Sequence, residues 1–292
     1  MDKLRYLIIS LRPKQWIKNL FVIAPLFFSK KLIDPTIVTR VLFAFALFCL
    51  ISSSIYLIND IIDLERDKNH PKKSKRPLAK GLLSVRISLL GSLVLLSIAI
   101  IGSFILDKRF LLVGLFYWFI NLFYSYTLKY LVIIDVICIA IGFVLRVVAG
   151  GIAAEVLSSH WILTTTIFLS LFLGFAKRKE EFAISLKSYG QTSRPVLKEY
   201  SNSIIDQFLV ICATATIISY TLFTLSDYAF QRFGTYNLIY TIPLVIFGIF
   251  RYLYLTEFSD FYENSTEILL TDKSLIFNIL FWIICVVFII YK

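Results

Sequence analysis

The stretch Val41–Asp67, VLFAFALFCLISSSIYLINDIIDLERD, decides the fold. Residues 41–58 carry no charge, and about 17 to 25 predominantly apolar residues are enough to cross a bilayer core as a helix. The run then ends abruptly in Asn59, Asp60, Asp63 and Asp67. At ~100° per residue the three aspartates fall within about 60° of arc on a continuous helix, with Asn59 one turn before Asp63. A membrane-spanning helix is therefore expected to deliver a row of carboxylates to one face of the bilayer. Bare carboxylates so close together repel. A divalent cation relieves that repulsion, and Mg²⁺ is typically held by a few carboxylates together with phosphate oxygens of a substrate.

The rest of the chain agrees with a membrane setting. Hydrophobic residues make up 58% of the 292 and charged residues 17%, far from the composition of a soluble domain. Similar apolar runs occur at 19–34, 87–106, 110–128, 131–154, 159–176, 204–225, 235–254 and 274–291. Together with 41–58 they predict an all-α integral membrane protein of about nine transmembrane helices. The apolar run at 19–34 follows Arg12, Lys14 and Lys18 with no small-residue cleavage site, so it is expected to stay in the protein. With nine spans, 22 of the 30 lysines and arginines fall on the side of Met1 and 7 opposite, Arg146 lying within a span. The positive-inside rule then puts Met1 in the cytoplasm. It also accounts for the net charge of +11 without nucleic acid. The four cysteines fall in four different spans with no Cys-x-x-Cys spacing, which argues against a thiolate metal or redox site.

Polar residues concentrate in segments 59–86, 126–130 and 177–200, all on the predicted cytoplasmic side. The first continues from the acids into Lys72, Lys73, Lys75, Arg76 and Lys80, cations suited to polyphosphate oxygens; of these Arg76, within Lys75-Arg76-Pro77, stands out. His70 before Pro71 reads as structural. The second is Tyr124-Ser125-Tyr126-Thr127-Leu128-Lys129, which serves equally well as an aromatic belt with a snorkelling lysine or as a site element. In the third, Lys177 and Glu181 are one turn apart and can share a face. Within the fifth span, Asp135 and Arg146 share a face but sit about 16 Å apart along a straight helix. Each needs partners from elsewhere, and Arg146 is a candidate to face an anionic substrate group.

With these residues in hand, the chain resembles the UbiA superfamily of intramembrane prenyltransferases, whose first motif is the Asn-Asp-x-x-Asp-x-x-x-Asp at 59–67. Within it the likeness is to the branch acting on polyprenyl phosphates, such as decaprenyl phosphate, as phosphoribosyltransferases. That likeness rests on Leu11–Asn19 (LRPKQWIKN), Lys75-Arg76-Pro77, Tyr124–Lys129, Arg146 with Ala149-Gly150-Gly151, Lys177-Arg178-x-x-Glu181, Arg251-Tyr252 and Glu267-x-x-Leu270-x-Asp272-Lys273. Aromatic prenyltransferases usually carry a second Asp-rich motif where this chain has Lys177–Glu181.

The resemblance implies one UbiA-like domain over 1–292, with a metal-motif loop at 59–86, a second active-site loop at 177–200 and a cytoplasmic active site in the cell membrane. It implies transfer of 5-phosphoribose from phosphoribosyl diphosphate to a polyprenyl phosphate for cell-wall glycan synthesis. Asn59, Asp60, Asp63 and Asp67 would hold Mg²⁺, with Lys129 beside the aspartates in catalysis. Arg12, Lys18, Arg76, Tyr126, Arg146, Lys177, Arg178 and Glu181 would contact substrate. Two other readings remain open: a UbiA-type transferase joining a prenyl diphosphate to an aromatic acceptor, and a transporter with Asp135 and Arg146 at its centre. Oligomeric state is not readable from the sequence.

Overall fold

The computed structural model describes residues 2–69, 73–187, 195–258, 268 and 271–292. Among them every regular element is helical. The chain forms two compact units, one from Met1–Ser158 with Ser188–Glu199, the other from Ser159–Lys187 with Tyr200–Lys292.

The first unit opens with a short helix, α1 (Asp2–Ser10), a 3₁₀ segment (Pro13–Val22) and a single helical turn, α2 (Ala24–Phe27). The long helix α3 (Pro35–Ile62) follows, then α4 (Leu64–Lys68), α5 (Val85–Leu106), α6 (Lys108–Tyr126) and α7 (Ile134–Ala153). The start of α3 is set by Asp34, whose carboxylate accepts from the Thr36 and Ile37 amides, and by Pro35 in the first turn. Phe48 of α3 is fully buried, edge-on to Phe110 at 5.8 Å and tilted against Tyr117 at 5.2 Å, both on α6. The Ser52-Ser53-Ser54 run is buried with its hydroxyls engaged. Trp118 Nε1 donates to Ser54 Oγ at 3.2 Å, and Ser92 of α5 donates to the Ser54 carbonyl at 2.9 Å. Small residues let α3 and α5 approach: a Cβ on Gly102 would lie 2.6 Å from a Leu47 methyl. The 3₁₀ turn Pro195–Glu199 belongs to this unit and packs on the turn Leu128–Tyr130.

The second unit holds α8 (His160–Lys187), α9 (Asn202–Leu225), α10 (Asp227–Phe233), α11 (Ile242–Phe258) and α12 (Lys273–Tyr291). Here Tyr220 joins α9 to Thr241 at 2.6 Å and to Trp282 of α12 at 3.0 Å.

Among the described residues seven helices are long and apolar enough to cross a membrane, against the nine read from hydropathy. The protein is a multi-pass membrane protein. Run 19–34 is not one helix: Pro25 and the charged pair Lys30-Lys31 divide it into the end of the 3₁₀ segment, α2 and turns. Run 110–128 is the helix α6, whose Asn121, Ser125 and tyrosines dilute its hydropathy. Segment 177–200 does not begin as a loop. Helix α8 continues to Lys187, supported by the good helix formers Lys177, Glu180, Glu181 and Ala183.

The start of α12 depends on one ion pair. Arg251 of α11 bonds both oxygens of Asp272, at 2.8 and 3.3 Å, and Asp272 also accepts the Leu275 amide at 2.8 Å. The Arg251 bond, foremost, holds the Asp272 carboxyl below the usual carboxylate range. A depressed carboxyl contributes stability above its unfolded pKa of about 3.9 and loses it as pH falls through the folded value. Asp272→Ala is expected to lower stability by about 1 kcal/mol at neutral pH. In thermal unfolding in detergent, the gap to the natural protein should close below about pH 4.

Candidate active site

The acid motif straddles a joint. Asp60 lies in the last turn of α3, Asp63 forms the junction with φ −90° and ψ 3°, and Asp67 lies on α4. The Asp63 amide still reaches the Asn59 carbonyl at 3.0 Å, and the Asp67 amide the Asp63 carbonyl at 2.8 Å. The helical register therefore survives the break, and the three carboxylates keep the spacing expected of a continuous helix. Asp60 is 3% exposed and Asp67 2%, with Asn59 and Asp63 half-buried beside them.

Three cations from three different segments meet these acids. Arg12 pairs with Asp60. Arg76 Nη1 bonds Asp60 Oδ1 at 3.1 Å and also pairs with Asp67. Lys129, only 3% exposed on the turn after α6, bonds Asp63 at 2.6 Å. Backbone geometry aims the first of these: Arg12 has φ 55° and ψ 60°, left-handed values unusual for a side-chain-bearing residue, at the bend between α1 and the 3₁₀ segment. Its guanidinium stacks over Tyr56 at 5.0 Å.

Burial dominates the electrostatics. It pushes the Asp67 carboxyl up, against the pull of Arg76 and Lys73, and Asp60 and Asp63 add repulsion. It also pushes the Arg76 guanidinium down, with Arg12 as a second cause. The pair is held together while both of its charged forms are disfavoured.

Two observations bear on a metal. Among the described residues no three His, Cys, Asp or Glu side chains are arranged to hold one ion. Yet a single nitrogen of Arg76 touches carboxylate oxygens of both Asp60 and Asp67, so two acids about two turns apart on α3 and α4 converge on one cationic point. The donor set of carboxylate and amide oxygens suits a hard cation that takes its remaining ligands from phosphate.

The other nominated residues are placed as follows. Lys18 is half-buried on the 3₁₀ segment, and Tyr126 is exposed at the end of α6. In the second unit Arg178 is fully buried and pairs with Glu181 at 2.5 Å. Lys179 bonds Asp206 of α9 at 2.7 Å and pairs with Glu257 of α11. His70, Pro71, Lys72, Glu267 and Leu270 lie outside the described residues. Sequence reasoning missed Arg66 and Tyr130. Arg66 lies over the Tyr130 ring at 4.9 Å and bonds its hydroxyl, tying α4 to the turn that carries Lys129. The only sequence signal was the adjacency of Tyr130 to Lys129.

A model of the UbiA prenyltransferase family matches residues 20–267. The decaprenyl-phosphate phosphoribosyltransferase of Corynebacterium glutamicum is 34% identical over 97% of this chain and 86% of its own length. That of Mycolicibacterium smegmatis is 37% identical over 75% of this chain and 70% of its own. Among solved structures, a UbiA homolog from Archaeoglobus fulgidus bound to GPP and Mg²⁺ superposes with TM-score 0.71 at 19% identity, covering 98% of this chain and 100% of that one.

Removing Lys129 strands a largely buried carboxylate. Lys129→Met is expected to cost about 3 kcal/mol of stability, and Asp63→Leu in the same chain to restore most of it. Thermal unfolding of the two variants in detergent checks this.

Proposed function

Because the chain belongs to the UbiA prenyltransferase family, we propose that it transfers 5-phosphoribose from phosphoribosyl diphosphate to the phosphate of a polyprenyl phosphate, releasing pyrophosphate. The observation that carries this reading is the matching of three acids by three cations, Arg12, Arg76 and Lys129, at one locus. Such a site serves a reaction in which donor, acceptor and leaving group are all anionic. The phosphoribosyltransferases of Corynebacterium and Mycolicibacterium, similar over most of the chain, support it.

In this reading Asp60, Asp63 and Asp67, with Asn59, would hold Mg²⁺ together with oxygens of the diphosphate. When bound, the metal neutralises charge on the leaving group. Arg12 and Arg76 take phosphate oxygens, their planar forks suiting such groups. An oxygen of the polyprenyl phosphate forms the new bond to ribose C1 as the bond from C1 to the diphosphate oxygen breaks. The acceptor is already an anion near neutral pH, so no proton need be removed. Lys129 anchors Asp63 and offers charge to the acceptor phosphate. Lys18 and Tyr126 complete the proposed substrate-contacting set of the first unit. We place the site at the cytoplasmic face of the cell membrane and treat 1–292 as one catalytic domain. The product would be a lipid-linked pentose for cell-envelope glycans.

The test uses purified protein in detergent with Mg²⁺, labelled phosphoribosyl diphosphate and a polyprenyl monophosphate. Label is expected to enter the lipid phase, to stop with EDTA, and to fall at least ~100-fold in Asp60→Ala or Asp67→Ala, as when a charge-stabilising group of an active site is removed. No transfer across several lipid lengths, with consumption of a prenyl diphosphate and an aromatic acceptor instead, would overturn the donor assignment.

A further inference from the structure

Arg146 sits in the interior of the first unit, 5% exposed on α7, and no ion pair to it occurs among the described residues. Its guanidinium is held by neutral groups. Nε donates to Asn19 Oδ1 at 2.8 Å, Nη2 to the Tyr117 hydroxyl at 2.7 Å and Nη1 to the Gly142 carbonyl at 3.0 Å. The rings of Tyr117 and Phe143 flank it at 4.8 and 5.2 Å. An intramembrane charge is costly and marks either a substrate contact or a structural commitment. Here three protein groups occupy the fork.

The commitment is to the 3₁₀ segment Pro13–Val22. Ten residues of 3₁₀ geometry are long for a conformation with poor hydrogen-bond geometry. This one is pinned along one face of α3 in antiparallel order. Asn19 donates to Cys49 Sγ at 3.3 Å and Ser52 Oγ at 3.1 Å. Trp16 donates to Ser53 Oγ at 3.0 Å, and Ser53 donates to the Leu11 carbonyl at 3.2 Å. Beyond them Arg12 covers Tyr56 and pairs with Asp60. At the other end α7 holds the segment twice, one turn apart. Arg146 grips Asn19, and Gly150 lies so close to Val22 that a Cβ there would collide with the Val22 carbonyl. The strained left-handed conformation of Arg12 persists only if its surroundings over-determine it. These rungs do so.

We propose that Arg146 is a positioning residue: by latching Asn19 it fixes the 3₁₀ strap on α3 and thereby sets Arg12 opposite Asp60. It acts through the strap and does not touch substrate. The inference rests on the assignment of Arg12 to the diphosphate site made above, and it goes beyond that assignment by placing control of Arg12 in the interior of α7.

Two measurements test it. The first is kinetic, with phosphoribosyl diphosphate as the varied substrate. R146Q and N19A are each expected to lower kcat/KM about tenfold through misplacement of a binding group. R12A should fall further, and R12A/R146Q should be no worse than R12A, since both changes remove one contact. Additive losses, or an R12A enzyme with natural activity, would overturn the latch. The second needs no substrate. In a chain with Cys49 as its sole cysteine, a membrane-permeant maleimide should label the buried Cys49 about tenfold faster in R146Q and in G150A than in the parent, as local opening of the strap exposes it. Unchanged labelling in both would overturn the latch whatever the activity. Faster labelling without any phosphoribosyl transfer would instead keep the latch and remove the function proposed above.

Discussion

Three carboxylates at the end of an apolar helix are a problem before they are a site. Asp60 and Asp67 are nearly buried, where like charges repel strongly and water cannot screen them. The chain answers from far away in sequence: Arg12 from the start, Arg76 from the loop after α4, Lys129 from the turn after α6. Much of the first unit can be understood as what it takes to bring those cations there. The Ser52-Ser53-Ser54 run lets the strap and α6 seat polar side chains on α3, Arg66 ties α4 to the turn carrying Lys129, and the strap carries Arg12. The buried acids thus act as an electrostatic target around which otherwise separate segments are ordered.

How much of this the sequence disclosed depends on the range of the interaction. The acid row was legible because it is local: periodicity places Asp60, Asp63 and Asp67 on one face, and the register survives the joint at Asp63. Arg76 was legible as a cation following that row, whereas Lys129, which reads equally as a snorkelling lysine, joined it only through the resemblance, and which acid each would meet was not legible. Hydropathy misled at 19–34, where apolar content predicts a span but Pro25 and the lysine pair break it into short turns. Side-chain pairing across the fold was the least accessible. The Arg178 and Glu181 pair sits at a spacing as favourable as that of Lys177 and Glu181, and helical periodicity alone does not distinguish the two. The Arg66 and Tyr130 contact joins residues 64 apart in sequence, which no local pattern encodes.

Buried Arg146 and half-buried Arg76 of the first unit show opposite uses of the same side chain. Arg146 is satisfied by an amide oxygen, a phenol, a carbonyl and two rings, groups that solvate a cation without cancelling it. Among the described residues such a charge has no competing anion to follow, so it suits a fixed anchor. Arg76 is held by two carboxylates, both of which are equally good ligands for a metal ion.

Arg76 is accordingly the less settled of the two. Burial lowers its affinity for a proton and raises that of Asp67, so within the pair each charge is under-compensated despite direct contact. A divalent cation would stabilise both carboxylates more than one shared guanidinium does, and a diphosphate would offer that guanidinium more oxygens than it gives up. Each exchange is unfavourable alone: the metal without phosphate meets Arg12 and Arg76, and the phosphate without metal meets three acids. Together the two exchanges remove both repulsions. In the proposed function, the interleaving of acids with cations, which no periodicity rule required, is therefore what would make the locus favour a metal and a diphosphate jointly over either one by itself.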